Sequence, residues 1–300
     1  MTTTARSAPR DRRRRNPRKH YPLWFYLPAG VVYGVLFIVP TIASFYFAFT
    51  RWSIAGTEFI GFENFALFFS EPYLFQGLVN TFIYGFLTSG LKVVLGLLLA
   101  VFLTSEIIAR GYLRSVVFFP TLVSVVGVGI TFTVLMDPEE GLINRALAAV
   151  GIAGPGWLTD PDLALISVAL VDVWKGVGLA TLIYIAGVVA IPQEYFEAAR
   201  VDGATAFQNL RYITLPLLRP ATATVIVLSL IGGLRSFDLI WAMTQGGPGF
   251  TSDVVASVIY KQYQAGFWGL SSAGNVVLFL LVAALMVPLY WKLNRKEVEQ

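Results

Sequence analysis

The sequence predicts an all-α, polytopic helical membrane protein with six transmembrane helices, and three observations carry that prediction. The 300-residue chain is 56% hydrophobic and only 13% charged, against about 25% charged in ordinary globular domains. Its mean hydropathy is +0.68. Six of its apolar runs reach the roughly 20 residues that a bilayer crossing needs. A water-soluble fold of this length needs more polar surface than these charges supply. The absence of cysteine excludes disulfide scaffolds, thiol nucleophiles and cysteine metal sites.

Residues 1–22 form a basic tail, expected to be disordered, in which Arg12, Arg13, Arg14 and Arg15 stand just ahead of the first span. That position makes the run an anchor that fixes orientation. Span 1 covers 24–49. It is too long for the roughly 7–15-residue core of a signal peptide and lacks a small-residue cleavage site, so it is retained. Span 2 covers 78–104 and span 3 covers 113–136, with a short charged loop between them. Spans 4, 5 and 6 cover 163–191, 217–243 and 270–291, and a second tail follows at 294–300. Pro28, Pro40, Pro120 and Pro288 lie inside these spans, where they are expected to act as kinks.

Charge placement fixes the expected orientation. Of the 22 lysines and arginines, sixteen lie on the side of the two tails and of the loops between spans 2 and 3 and between spans 4 and 5. Only Arg51, Arg145 and Lys261 fall in the other three loops, which hold nine of the 18 acidic residues. The positive-inside rule therefore places both termini in the cytoplasm, in a multi-pass protein of a bacterial cell membrane. The net +4 divides into +9 cytoplasmic, −6 outside and +1 within the spans, so the pI of 9.3 reports orientation and implies no nucleic-acid partner.

Several chemistries have no support. The chain contains no Gly-Lys dipeptide and hence no phosphate-binding P-loop, so ATP is not hydrolysed by that route. His20, the single histidine, sits in the basic tail as a solvated interfacial residue, and no metal site is expected. No Gly-x-Ser-x-Gly nucleophile elbow occurs. Tryptophan and tyrosine cluster near span ends, as an interfacial belt predicts. Gly30 and Gly34 have helix-packing spacing, in a chain with 27 glycines.

Five charges fall well inside spans, away from the span-end Arg114 and Arg219: Lys92, Asp172, Lys175, Arg235 and Asp238. An ionised group at the bilayer centre costs about 2.5–3.5 kcal/mol on insertion scales, so each needs a partner or water. Asp172 with Lys175 and Arg235 with Asp238 have i,i+3 spacing, which offers pairing within one helix. Lys92 has no such neighbour and must snorkel or pair across helices. These residues fit either a transport pathway wall or structural pairs between helices.

The loop at 192–216 reads as helix, turn, helix. Pro192 suits a first helical position, Glu194 and Glu197 suit the positive end of the helix dipole, and Gly203 suits a left-handed cap. A second short helix fits 204–211. Small Ala198 and Ala199 permit close approach of another protein, while Glu197 and Asp202 offer it charge. The same periodicity also fits an amphipathic connector lying on the membrane.

Glu197-Ala198-Ala199, then Asp202-Gly203-Ala204, then Ile213-x-Leu215-Pro216 resembles the EAA loop of permease subunits of binding-protein-dependent ABC importers. The resemblance runs from about residue 24 to 293 and is nearest the carbohydrate-type branch. It takes in Asn80-Thr81, Gly141-Leu-Ile-Asn144, Trp157-Leu-x-Asp160-Pro161, Asp172-Val-Trp-Lys175, Phe237-Asp238 and Thr244-Gln-Gly-Gly-Pro248. Gln245 departs from the Gly or Asn usual there. The resemblance implies a type I ABC importer permease core over residues 23–293. Such a subunit is non-catalytic and channel-forming, moves a sugar or related polyol compound, and binds no cofactor itself. It further implies a second homologous permease subunit, an ATP-binding cassette ATPase dimer carrying ATP and magnesium, and an extracytoplasmic substrate-binding protein. Glu197, Ala198, Ala199, Asp202, Gly203, Ala204, Leu215 and Pro216 would then form the ATPase-coupling contact. The alternative is an ion-driven secondary transporter using Asp172 and Asp238. The paired broken spans typical of that class are not evident in the sequence, and the loop is left without a role.

Overall fold

The computed structural model describes residues 23–294, so the tail at 1–22 with its arginine run and His20, and the tail from 295, lie outside the described residues. Four helices are each long and apolar enough to cross a membrane: α1 (Trp24–Phe47), a helix at Pro72–Thr104, one at Ala164–Val189 and one running from Trp268. Two bent helix pairs bring the number to six if each pair counts as one span.

None of the most apolar stretch of α1 is buried. A Cβ built at its Gly30 or Gly34 meets nothing within 4 Å. Pro28 sits at the start of a helical segment, where no kink arises. At Pro40 the helix widens into a π turn over Gly34–Ile38, with the Val39 N–H reaching back to the Gly34 carbonyl. A proline has no N–H to give and its ring crowds the carbonyl four residues back, and the wider turn relieves both problems.

After α1 the chain forms a small antiparallel hairpin, β1 (Thr50–Ser53) with β2 (Gly56–Phe59), in register Thr50 to Phe59. This hairpin is a local β element in a loop of an otherwise helical chain. Arg51-Trp52-Ser53 and Thr57-Glu58-Phe59 flank a turn that ends at Gly56, where φ is +144° and a side chain is unwelcome. A short α2 (Glu63–Ser70) leads into α3 (Pro72–Thr104), which begins six residues before the expected span 2.

Span 3 is not one helix. It breaks into α4 (Arg110–Leu122) and α5 (Val125–Leu135), which meet at 99°. Pro120 lies inside α4, and the bend follows it at Val123 and Ser124, both extended in ψ. α6 (Leu142–Ala149) lies in the next loop, and α7 (Ala164–Val189) fills the region of span 4. α8 (Gln193–Val201) and α9 (Ala206–Leu217) follow. Span 5 is also broken: α9 meets α10 (Arg219–Leu234) at 67°, and a second interruption at Arg235, Ser236 and Phe237 precedes α11 (Asp238–Met243). α12 (Val255–Gln264) and α13 (Trp268–Asn294) complete the chain, with Pro288 inside an unbroken α13.

The packing centre is the pair α3 and α7, joined by α10. One stripe of α3 is buried at Gly77, Thr81, Gly85, Ser89, Lys92, Gly96 and Ala100, recurring every three or four residues. Small residues let the backbones approach, as membrane helices require where apolar burial against lipid gives no advantage. A Cβ added at Gly96 would stand 2.8 Å from the Ala180 Cβ, and one at Gly233 would stand 2.8 Å from the Gly85 Cα. On the other side of α3, Val94, Leu98 and Phe102 are more than half exposed at i, i+4 spacing, a surface suited to lipid.

Buried asparagines stitch the loops to this frame. Asn64 donates to the carbonyls of Ala48 (2.9 Å) and Thr50 (2.8 Å). Asn80 donates to those of Thr251 (2.8 Å) and Asp253 (2.7 Å), some 170 residues away in sequence. Asn144 donates to Pro138 and Pro155 and accepts from the Trp157 indole at 2.7 Å. An amide supplies two donors on one rigid plane, which suits it to holding two carbonyls of an irregular loop. Asn80→Leu, which keeps the branched shape but has no donors, leaves the Thr251 and Asp253 carbonyls unpaired and is expected to cost about 2–4 kcal/mol. Thermal unfolding in detergent measures it.

Candidate functional site

Two groups of residues stand out. The first is the loop between α7 and α9. α8 carries Glu194 in its first turn and Arg200 in its last, each matched to the helix dipole. Pro192 is the residue before the helix, one position earlier than expected. The helix ends in a full Schellman turn: Gly203 has φ +76°, its N–H donates to the Arg200 carbonyl at 3.2 Å, and the Ala204 N–H donates to Ala199 at 2.9 Å. Nothing lies within 4 Å of a Cβ built at Gly203, so backbone conformation alone requires glycine there.

The next helix starts two residues later than the expected 204. Thr205 caps it in a reciprocal box: the Gln208 N–H donates to Thr205 Oγ1 at 3.3 Å, and the Thr205 N–H donates to Gln208 Oε1 at 2.7 Å. The Thr-x-x-Gln spacing that signals this box is present in the sequence but formed no part of the expectation. α9 does not stop at 211. It runs on through a π turn at Leu210–Thr214, where the Leu215 N–H reaches the Leu210 carbonyl, to Pro216. This is the same accommodation as before Pro40, so the Leu215-Pro216 pair shapes the approach to span 5.

Glu197, Ala198, Asp202 and Gly203 are exposed, while Ala199, Ala204, Leu215 and Pro216 are half-buried. The loop also shows apolar surface: Val201 is 89% exposed, Phe207 73% and Tyr212 71%. A stretch this short that combines exposed carboxylates with large exposed apolar side chains has the composition of a contact surface.

The second group is intramembrane. Lys92 on α3 and Asp172 on α7 form an ion pair at 2.8 Å, with side-chain exposures of 9% and 21%. The i,i+3 pairing expected within helices does not form. Asp172 is taken by Lys92 across the α3–α7 interface, and Lys175 instead points its ammonium toward the Thr121 carbonyl at 3.5 Å. Arg235 and Asp238 are exposed and flank the interruption between α10 and α11, which removes the helical spacing that would have paired them. Lys92 fits because Gly176 lies one turn beyond Asp172: a Cβ there would stand 2.6 Å from the Lys92 Cε. The buried Tyr84 hydroxyl faces Asp172 and Ser236 without a hydrogen bond of ordinary geometry to either.

Beside the pair lies a cleft of about 110 Å³ between α7 and α10, lined by Lys92, Gly176, Leu179, Ser229 and Gly232 among others. Lys92 thus brings one charge of the pair to a small cleft whose other lining residues are mostly apolar. No cluster of three or more His, Asp or Glu suited to a metal occurs among the described residues. At the opposite end of span 5, Asp253 is buried and bonded to Lys261 (2.6 Å) and Ser257 (2.7 Å), with Gly246 packed against its carboxylate. This fixes the Thr244-to-Pro248 segment and was not anticipated from sequence.

A sequence profile of the family described as "Binding-protein-dependent transport system inner membrane component" matches residues 92–295. The chain is 33% identical over 301 residues to a probable ABC transporter permease protein of Sinorhizobium fredii, covering 98% of this chain and 96% of that protein. It is 32% identical to the trehalose/maltose transport system permease protein MalF of Thermococcus litoralis, covering 90% and 92%. It is 30% identical to the arabinooligosaccharides transport system permease protein AraP of Bacillus subtilis, covering 88% and 86%. Its fold matches a chain of a bacterial ABC transporter involved in import of the acidic polysaccharide alginate, with a TM-score of 0.82, 24% identity and coverage of 91% and 94%.

Proposed function

Because the chain belongs to the family of binding-protein-dependent transport system inner membrane components, we propose that it is the half-channel of an ATP-driven importer for an oligosaccharide or related polyol. It is a multi-pass membrane permease subunit of a binding-protein-dependent importer. In our reading both termini are cytoplasmic, a second homologous permease completes the channel, and an ATPase dimer supplies the energy. An extracytoplasmic binding protein delivers the substrate. The chain itself performs no chemistry and holds no cofactor; ATP and magnesium belong to the ATPase. The carbohydrate class rests on the relatives named for trehalose/maltose and arabinooligosaccharide transport.

The observation that carries the coupling role is the α8-turn-α9 element, an exposed rigid knob with mixed acidic and apolar surface. Closure of the ATPase dimer would pull the knob, and the broken spans would change their angles around the pathway. The cleft between α7 and α10 that Lys92 lines would form part of the pathway wall. That same pair weighs against a proton- or sodium-driven carrier through Asp172, whose carboxylate is engaged by a lysine. Affinity purification in mild detergent tests the assembly: a second permease and an ATPase should co-purify, and one sugar presented with its binding protein should stimulate ATP hydrolysis severalfold. A lone, fully active homo-oligomer would refute it.

A further inference from the structure

Between the end of α8 and the face of α9 lies an open cleft of about 270 Å³. Its floor is made by Ala199 and Ala204, its walls by Gln208, Asn209 and Tyr212, and Asp202 is the sole charged residue lining it. Two features give it one electrostatic sign. The Asp202 carboxylate is exposed at the rim and takes part in no ion pair among the described residues. The cleft sits at the C-terminus of α8, the negative end of the helix dipole, where the carbonyls of Val201 and Asp202 accept no backbone hydrogen bond. The Tyr212 wall carries the Arg211 guanidinium 5.6 Å from its ring centroid and so adds no negative sign of its own. The Asn209 side-chain oxygen beside it has no hydrogen-bond partner.

We propose that this cleft is a socket for a basic side chain, arginine or lysine, projecting from the ATPase subunit. The inference rests on the docking role of the loop and adds a direction to it. The loop is a knob that enters the ATPase and also a receptacle that the ATPase fills. A guanidinium or ammonium group entering beside Asp202 meets a carboxylate and free carbonyls, and Asp202 is the one charge among the lining residues. Small Ala199 and Ala204 leave the room; a larger residue at either position would close it.

The test uses the permease with its co-purifying ATPase in detergent. Asp202→Lys should weaken ATPase retention about tenfold or more, as expected when a charge-assisted contact becomes a repulsion. Asp202→Asn should weaken it less, and Ala204→Leu should do so without any change of charge. Replacing surface lysines and arginines of the ATPase one at a time by glutamate should reveal one position that restores binding to Asp202→Lys. Wild-type retention by Asp202→Lys, or loss that no reversal restores, overturns the socket. Glu197→Lys in the same assay separates the two ideas. If it abolishes retention while Asp202→Lys binds normally, the docking loop stands and the socket falls; if neither affects retention, the docking reading itself fails. Equal membrane levels and unfolding temperatures establish that each variant is folded.

Discussion

Gly203→Pro abolishes substrate uptake while leaving the protein in the membrane at wild-type level. Proline is fixed near φ −65°, and this position is held at +76°. It also has no N–H, so the bond from Gly203 to the Arg200 carbonyl is lost together with the turn that joins α8 to α9. The apolar spans are untouched, so insertion proceeds. Gly203→Ala is the control: no atom lies within 4 Å of the new methyl group, and the left-handed conformation costs an ordinary residue about 1–2 kcal/mol, so transport falls only partly. Glu197→Lys, a reversal on the exposed face of α8, also loses transport without losing fold. Uptake of the stimulating sugar, measured beside membrane abundance, checks all three. Substrate-stimulated ATP hydrolysis retained by Gly203→Pro or Glu197→Lys would contradict the assignment of the loop.

Lys92→Met and Asp172→Leu each destabilise the protein by about 3–5 kcal/mol, because removing one member of a buried pair strands the other charge. The double variant recovers most of that loss, since two apolar side chains in this environment need no partner. Thermal unfolding of the four forms in detergent yields the coupling directly. Uptake follows a different course. Lys92 lines the cleft between α7 and α10, so the double variant is expected to regain stability and remain deficient in transport. Full recovery of both properties would make the pair purely structural.

What the sequence could and could not disclose follows from the range of each signal. Hydropathy locates apolar length, and the helices Ala164–Val189 and Trp268–Asn294 lie close to the runs expected at 163–191 and 270–291. It carries no information on direction, so the 99° bend at Val123 and Ser124 and the breaks in span 5 were hidden within apolar runs. Pro120 marked the neighbourhood of one bend, whereas Pro40 and Pro216 produce π turns and Pro288 no break at all. The sequence offered Asp172 a partner in Lys175 and left Lys92 to snorkel or pair across helices, and the cross-helix pair is the one that forms. An i,i+3 rule sees one helix, but the partner of Asp172 is 80 residues away on another. Its trace in the sequence is the glycine at 176, which leaves the space a lysine stem needs. In the docking loop a local rule sufficed at Gly203, because the left-handed turn depends on four consecutive residues. The cleft beside it depends on how α8 and α9 fold back on each other, and no spacing encodes that directly.

The central claim is that this chain is driven by an ATPase bound through the 192–216 loop. Uptake by the purified complex in sealed proteoliposomes, loaded with ATP on the ATPase side and supplied with binding protein and sugar outside, tests it most directly. The account predicts uptake that requires ATP, stops when Gly203→Pro replaces the wild-type chain, and is unchanged by a protonophore. Uptake that persists without ATP and collapses with the protonophore would contradict it.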